Sequence, residues 1–132
     1  MLIAGIQTDV VFQDVNANLT ALESQVRSEV ARGTQLTVFP ECFTTGYCFD
    51  ALDDAMALAE NVPGPTTERI AKLCKELNTF VVCGMLEKSG TQLFNTAVLV
   101  GPDGLIGSYR KVHLPFLGVD RFTTPGDRPF EV

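Results

Sequence analysis

The chain has 132 residues, 45% of them apolar and 20% charged, and carries a net charge of −6. That length is one domain or part of one, and the balance is that of a globular chain rather than a disordered one. An acidic chain lacks the basic field that phosphate backbones and anionic lipid surfaces require, so nucleic acid and membrane are excluded as partners. No apolar run approaches the roughly 18–20 residues that span a bilayer, and no signal-like segment opens the chain, so the expected compartment is the cytoplasm.

The first apolar run, Leu2 to Val10, has β-branched members and predicts a buried strand. A helix is expected over 16–32, because Leu19, Leu22, Val26 and Val30 repeat at helical spacing; Asp14 or Asn16 can cap its start and Gly33 its end. Gln35 to Phe39 predicts a second strand, stopped by Pro40. Residues 42–50 read as a loop in which Gly46 is free to take a positive φ.

A weak helix is expected over 53–60. The Pro63-Gly64-Pro65 break then presets another, with Ile70, Leu73, Cys74 and Leu77 on one face. Three strands follow, at 80–86, 93–100 and 105–112, with turn chemistry at Ser89-Gly90 and Pro102-Asp103-Gly104. The tail from Leu114 to Val132, broken by prolines and glycines, reads as an extended loop. Two crossovers followed by hairpins give an α/β chain with a mixed sheet and helices packed on it.

Cys42, Cys48, Cys74 and Cys83 contain no CxxC pair and His113 is the sole histidine, so no metal site is expected. The cysteines read as reduced, mostly buried thiols.

Two positions carry candidate chemistry. Glu41 follows the strand ending in Phe39 and Pro40, at the mouth of an open α/β sheet where ligands bind. Read by itself it could equally be a solvated loop acid. Tyr109-Arg110-Lys111-Val112-His113 sets cationic side chains at the end of another strand. They could form a solvated edge, or place one ammonium opposite Glu41.

The strings TVFPECFTTGY (37–47), LFNTAVLVGPDGLIGSYRKVHLP (93–115) and RFTTPGD (121–127), in that order, resemble the carbon–nitrogen hydrolase, or nitrilase, superfamily. The resemblance runs from Met1 to Val132. It implies the first half of a four-layer α-β-β-α sandwich, and a Glu-Lys-Cys triad that needs no cofactor. By motif, Glu41 corresponds to the general base and Lys111 to the catalytic lysine, and their charged groups are expected to converge on one cleft from neighbouring strand ends.

The family's nucleophilic cysteine lies on a later strand, and none of the four cysteines here has its surrounding motif. The 132 residues are therefore expected to be the N-terminal part of a single hydrolase domain, truncated before the catalytic cysteine and inactive alone. Where many relatives carry an acid after the lysine motif, this chain offers Asp120, shorter by one methylene than a glutamate. Substrate or lysine positioning is one role for it; a salt bridge to Arg121 or a loop cap are others.

Tyr47 and Phe43 line the pocket or simply pack, and His113 supports Lys111 or packs on the following loop. Asn95 matches the family pattern but reads as a structural asparagine. The implied function is hydrolysis of non-peptide C–N bonds in small amides or N-carbamoyl compounds, by a full-length enzyme that is at least a dimer. The alternatives are nitrile hydrolysis and a catalytically silent α/β interaction module. A lone half-sandwich would leave one sheet face bare, and Leu2, Ile6, Val38, Val81, Val98 and Val100 are its expected residues.

Overall fold

The computed structural model describes residues 1–129. Strands β1 (Ile3–Gly5), β2 (Leu36–Val38), β3 (Phe80–Ser89), β4 (Gln92–Gly101) and β5 (Gly104–Arg110) form one sheet in sequence order. Helices α1 (Val15–Val30), α2 (Leu52–Leu58) and α3 (Pro65–Leu77) connect its first half. β1, β2 and β3 run parallel, because helical crossovers return each strand to the same end. β3, β4 and β5 are antiparallel, joined by tight turns.

Local chemistry explains the helix ends. Asp14 Oδ1 accepts the Ala17 N–H at 2.9 Å to open α1, and Gly33 at φ +89° turns the chain after it. Pro65 occupies the first turn of α3, while the Thr67 hydroxyl accepts the Gly64 N–H at 2.9 Å.

β1 is much shorter than the apolar run 2–10. Its sole partner, β2, offers three residues before Pro40 ends the ladder. Beyond Ile6 the chain leaves the sheet, and Asn18 holds it by bonding both the N–H and the carbonyl of Val11. The tail also differs from a plain extended loop: Gly118–Arg121 forms a 3-10 turn. The final residues of the expected loop, 130–132, lie outside the described residues.

Two clusters of buried side chains lie on opposite faces of the sheet. Leu19, Leu22 and Val26 of α1 and Ile70, Leu73 and Cys74 of α3 pack with Val81, Cys83, Met85, Val98 and Val100. The other face carries a smaller cluster, in which Leu86 and Leu93 meet Cys42, Phe49, Ala55, Ala59 and Val119. Strand alternation separates the two sets, odd positions of β3 facing the large helices and even positions facing away.

This corrects the residues expected on the bare face. Val81, Val98 and Val100 are buried beneath α1 and α3, and Ile6 packs against the same cluster. Register puts Leu2 on that side as well, level with Ala4 and Thr37. Of the six, Val38 alone belongs to the face without large helices. That face instead presents Ile3, Phe80, Ile106 and Tyr109, all exposed. The expectation slipped by one residue, and with a period of two a one-residue slip changes the face.

Arg110 shows the same alternation. It turns under the helices, pairs with Glu87 and Asp127, and lies 3.7 Å over the Phe94 ring, so it does not join Lys111 in a charged edge. Among the described residues no helix is long and apolar enough to cross a membrane.

Candidate active site

The side chains singled out around Glu41 and Lys111 meet on the sheet face away from α1 and α3. Lys111 is the residue after β5, and its backbone N–H bonds the Asn95 carbonyl at 2.8 Å. Its side chain therefore rises beside that of Asn95, from the same face. Lys111 Nζ lies 2.8 Å from Glu41 Oε1 and 2.6 Å from Asp120 Oδ2.

Glu41 does not come from a neighbouring strand end. β2 is separated from β5 by β3 and β4, so residues 40–42 must cross β3 to reach Lys111. Gly84 makes that crossing possible. A Cβ there would stand 2.6 Å from both Cys42 N and Pro40 O and 2.7 Å from Glu41 Cα. The segment is pinned by Gly84 N–H donating to Pro40 O and Thr44 N–H donating to Gly84 O.

Asp120 is brought in by the 3-10 turn. Gly118, at φ +50°, lies so close to Tyr47 that any Cβ would stand 2.5 Å from its ring. Val119 N–H then donates to Tyr47 O at 2.8 Å. The Asp120 carboxylate is fully buried and makes no pair with Arg121, which donates to Phe49 O and Asp50. Its Oδ2 accepts from Lys111 and from the Tyr47 hydroxyl at 3.0 Å. Its Oδ1 accepts from Asn95 at 3.0 Å and from Thr123 at 3.1 Å.

The electrostatics follow from this packing. Burial works to raise the Asp120 carboxyl, yet the bonds from Lys111, Asn95 and Tyr47 outweigh it and hold the group below its ordinary range. Burial likewise opposes the Lys111 ammonium, but the bonds and charges of Asp120 and Glu41 push it above its ordinary value. Burial and the Asp120 carboxylate push the Tyr47 phenol up to about 12. The site therefore holds a fixed cation between two carboxylates, beside a cleft lined by Glu41, Gly84, Asn95, Ala97, Tyr109 and Lys111.

The remaining expected residues lie apart. His113 is exposed and makes no hydrogen bond to Lys111 among the described residues. Phe43 is buried in the large core, its ring tilted against that of Phe39, and packs rather than lining the cleft. The four cysteines are free, and Cys48 is exposed. Burial raises Cys74 to about 11 and Cys83 to about 12. Cys42 is raised too, by burial first and then by Glu41 and Asp120, so it is the reverse of an activated thiol. No group of three or more His, Cys, Asp or Glu among the described residues could hold a metal ion.

Two contributors have parts in the site that their sequence positions do not convey. Asn95 matches the family pattern and reads from the sequence as structural, yet it donates to both carboxylates. Gly84 is the other, and its signal is that of an isolated glycine inside a strand pattern, which marks close backbone approach.

Comparison with known proteins adds a family pattern. The sequence model described as Carbon-nitrogen hydrolase matches residues 2–132. A protein of Pyrococcus abyssi named nitrilase is 36% identical over 131 residues, covering 98% of this chain and 50% of that protein. The omega-amidase NIT2 of Bos taurus is 35% identical over 99 residues, covering 74% of this chain and 35% of that protein. Among solved structures, the carbon-nitrogen hydrolase of Helicobacter pylori G27 superposes with a TM-score of 0.83 at 19% identity, covering 95% of this chain and 44% of that one. Nit3 of Saccharomyces cerevisiae, described as a member of branch 10 of the nitrilase superfamily, gives 0.79 at 24% identity, covering 96% and 48%. The chain spans half or less of the length of these relatives.

Proposed function

The chain belongs to the carbon-nitrogen hydrolase family, and from that premise we propose that it supplies the base and the cationic half of a Glu-Lys-Cys site for hydrolysis of small amides or N-carbamoyl compounds. The observation that carries this reading is the Lys111 ammonium held between Glu41 and Asp120 at the edge of an open cleft. We further propose that these residues are the N-terminal part of a single domain whose nucleophilic cysteine lies outside them. Three of the cysteines present are buried and protonated, and the relatives are longer.

The chemistry follows from the free valences. Glu41 Oε1 is occupied by Lys111 and Asn95, while Oε2 accepts no hydrogen bond among the described residues. Oε2 is thus the oxygen that takes the proton of the incoming thiol. The thiolate forms a C–S bond to the carbonyl carbon, and the C=O π pair moves to oxygen. Lys111 donates two N–H groups to the carboxylates and keeps a third for that oxyanion. Collapse breaks the C–N bond, and the proton held on Glu41 goes to the departing amine. Water then gives its proton to Glu41, hydroxide attacks the thioester, and the thiolate leaves and is reprotonated.

Nitrile hydrolysis is the second reading, favoured by the name of the Pyrococcus abyssi relative. The same base and cation serve thiol addition to a C≡N carbon, so a substrate panel rather than the site geometry separates the two.

The test uses the full-length polypeptide that carries these residues. Glu41→Gln keeps size and removes the base, and acylation should fall by roughly 10²–10⁴. Lys111→Ala should cost roughly 10²–10³ in kcat through the lost oxyanion contact. Near wild-type turnover in either folded variant would overturn the assigned role. The 132-residue chain alone should give no acyl burst with an activated ester, and a stoichiometric burst at Cys42 or Cys48 would overturn the external nucleophile.

A further inference from the structure

We propose that Asn95 is a positioning residue for this reaction: its two amide N–H groups lock the carboxylates that flank Lys111 and thereby leave Glu41 Oε2 as the working oxygen. The proposal rests on the hydrolase reading of the same site.

An asparagine within a strand ordinarily bonds a neighbouring backbone. Asn95 does not. It is buried in β4, and all three of its side-chain bonds go to side chains of the site. Nδ2 donates to Glu41 Oε1 and to Asp120 Oδ1, while Oδ1 accepts the Cys42 thiol at 3.5 Å. Its two N–H donors are matched to two carboxylates, and one lone pair of its carbonyl oxygen takes the protonated thiol. Turning the amide over would set its oxygen against both carboxylates, so the orientation is fixed by its surroundings.

The consequence lies in which oxygens remain. Asp120 has two donors on each oxygen and is fully engaged. Glu41 has both donors on Oε1. Lys111 alone could satisfy a carboxylate rotating between its two oxygens, whereas a second donor from a rigid strand picks one. Asn95 also offsets the repulsion of two carboxylates gathered on one cation. The titratable and charged groups facing it are Glu41 and Cys42 from the crossing segment, Lys111 after β5, Asp120 in the 3-10 turn, and Tyr47 behind Asp120.

The experiment compares Asn95→Leu and Asn95→Asp with wild type in the full-length polypeptide. Loss of the lock should lower kcat roughly 10²-fold, the cost of a misplaced reacting group, with KM within about twofold. The acid limb of the kcat–pH profile should move to higher pH in Asn95→Leu, because ionised carboxylates lose two donors. It should move further in Asn95→Asp, which sets a third acceptor against them. A lower melting temperature with an unmoved limb and unchanged kcat means a merely structural asparagine and overturns the proposal.

Should the Asn95 variants fold poorly, NMR of ¹⁵N-labelled side-chain amides decides, on wild type and on variants that keep Asn95. The two Asn95 Hδ2 protons should exchange slowly, one responding to Glu41→Gln and the other to Asp120→Asn. Fast exchange of both overturns the lock. Absence of amide or nitrile turnover in wild type defeats the hydrolase reading and the role in turnover, while the proton signals still show whether the lock exists.

Discussion

At the scale of single residues, Asp120 accepts four side-chain hydrogen bonds and makes the sharpest pH prediction. Its carboxyl is held below the ordinary value, so it contributes stability that is present above about pH 4 and lost as pH falls through the folded-state value. Lys111 is held above its ordinary value, so its share is present below about pH 10 and lost as pH rises through its own folded-state value. Between those limits the cluster's contribution is flat. Asp120→Asn keeps the shape and removes the charge, leaving the half-buried Lys111 and Tyr47 partly unpaired. Because Lys111 is partly exposed and keeps Glu41, the loss is that of charged hydrogen bonds, about 1.5–3 kcal/mol near pH 7, and much less in acid, where the wild-type carboxyl is protonated too. Urea unfolding of the full-length polypeptide at a series of pH values checks this. A difference that stays constant down to about pH 2 would remove the charge from the explanation.

At the scale of elements, the site depends on one strand being crossed by another's continuation. β2 ends two strands away from β5, and the segment 40–42 spans that gap by lying directly on β3 at Gly84. Gly84→Ala should therefore act on chemistry as well as packing. The added methyl meets backbone atoms, which cannot swing aside as a side-chain tip can. Overpacking of this kind costs about 1–3 kcal/mol. Displacement of Glu41 by about 1 Å should lower kcat by roughly 10²-fold. Thermal melting and steady-state turnover measured on the same preparation test the pair of effects. A stable variant with full turnover would show that the crossing has room to spare. The hairpin β4–β5 works to the same end, since consecutive residues point opposite ways and Arg110 and Lys111 serve different faces. Arg110 binds Glu87 beneath the helices and Lys111 meets Glu41 above the sheet.

At the scale of the whole molecule, the sheet is dressed unequally. One face is closed by α1 and α3, while the other exposes Ile3, Phe80, Ile106 and Tyr109, the last of which lines the cleft. Contiguous apolar area on the order of a few hundred Å² left in water forgoes several kcal/mol at about 25 cal/mol per Å². That rivals the total stability of a domain, about 5–15 kcal/mol. The 132-residue chain expressed alone should self-associate and bind a hydrophobic dye. Charged substitutions at Phe80 and Ile106 should reduce both effects, because the α1 and α3 core lies on the opposite face. Sedimentation and dye fluorescence measure this, and a monodisperse monomer that binds no dye would contradict it.

Among the described residues the sequence by itself determined every α-helix and strand to within a few residues, except the long reach of the first strand, but not the 3-10 turn at Gly118–Arg121. Periodicity, caps and turn residues are local signals that survive without tertiary context. It also carried the family pattern and pointed to Glu41, Lys111, Asp120 and Tyr47, because motif residues cluster where a strand gives way to a loop. Tertiary structure alone decided which face each strand residue serves, since alternation fixes two sets but not which set the helices cover. It decided too that Asn95 is a donor to two carboxylates and that Gly84 must lack a side chain. Those roles are created by segments far apart in the chain, residues 41 and 42 meeting residues 84 and 95, and residue 95 meeting residue 120, and no local pattern in any of these segments encodes the meeting.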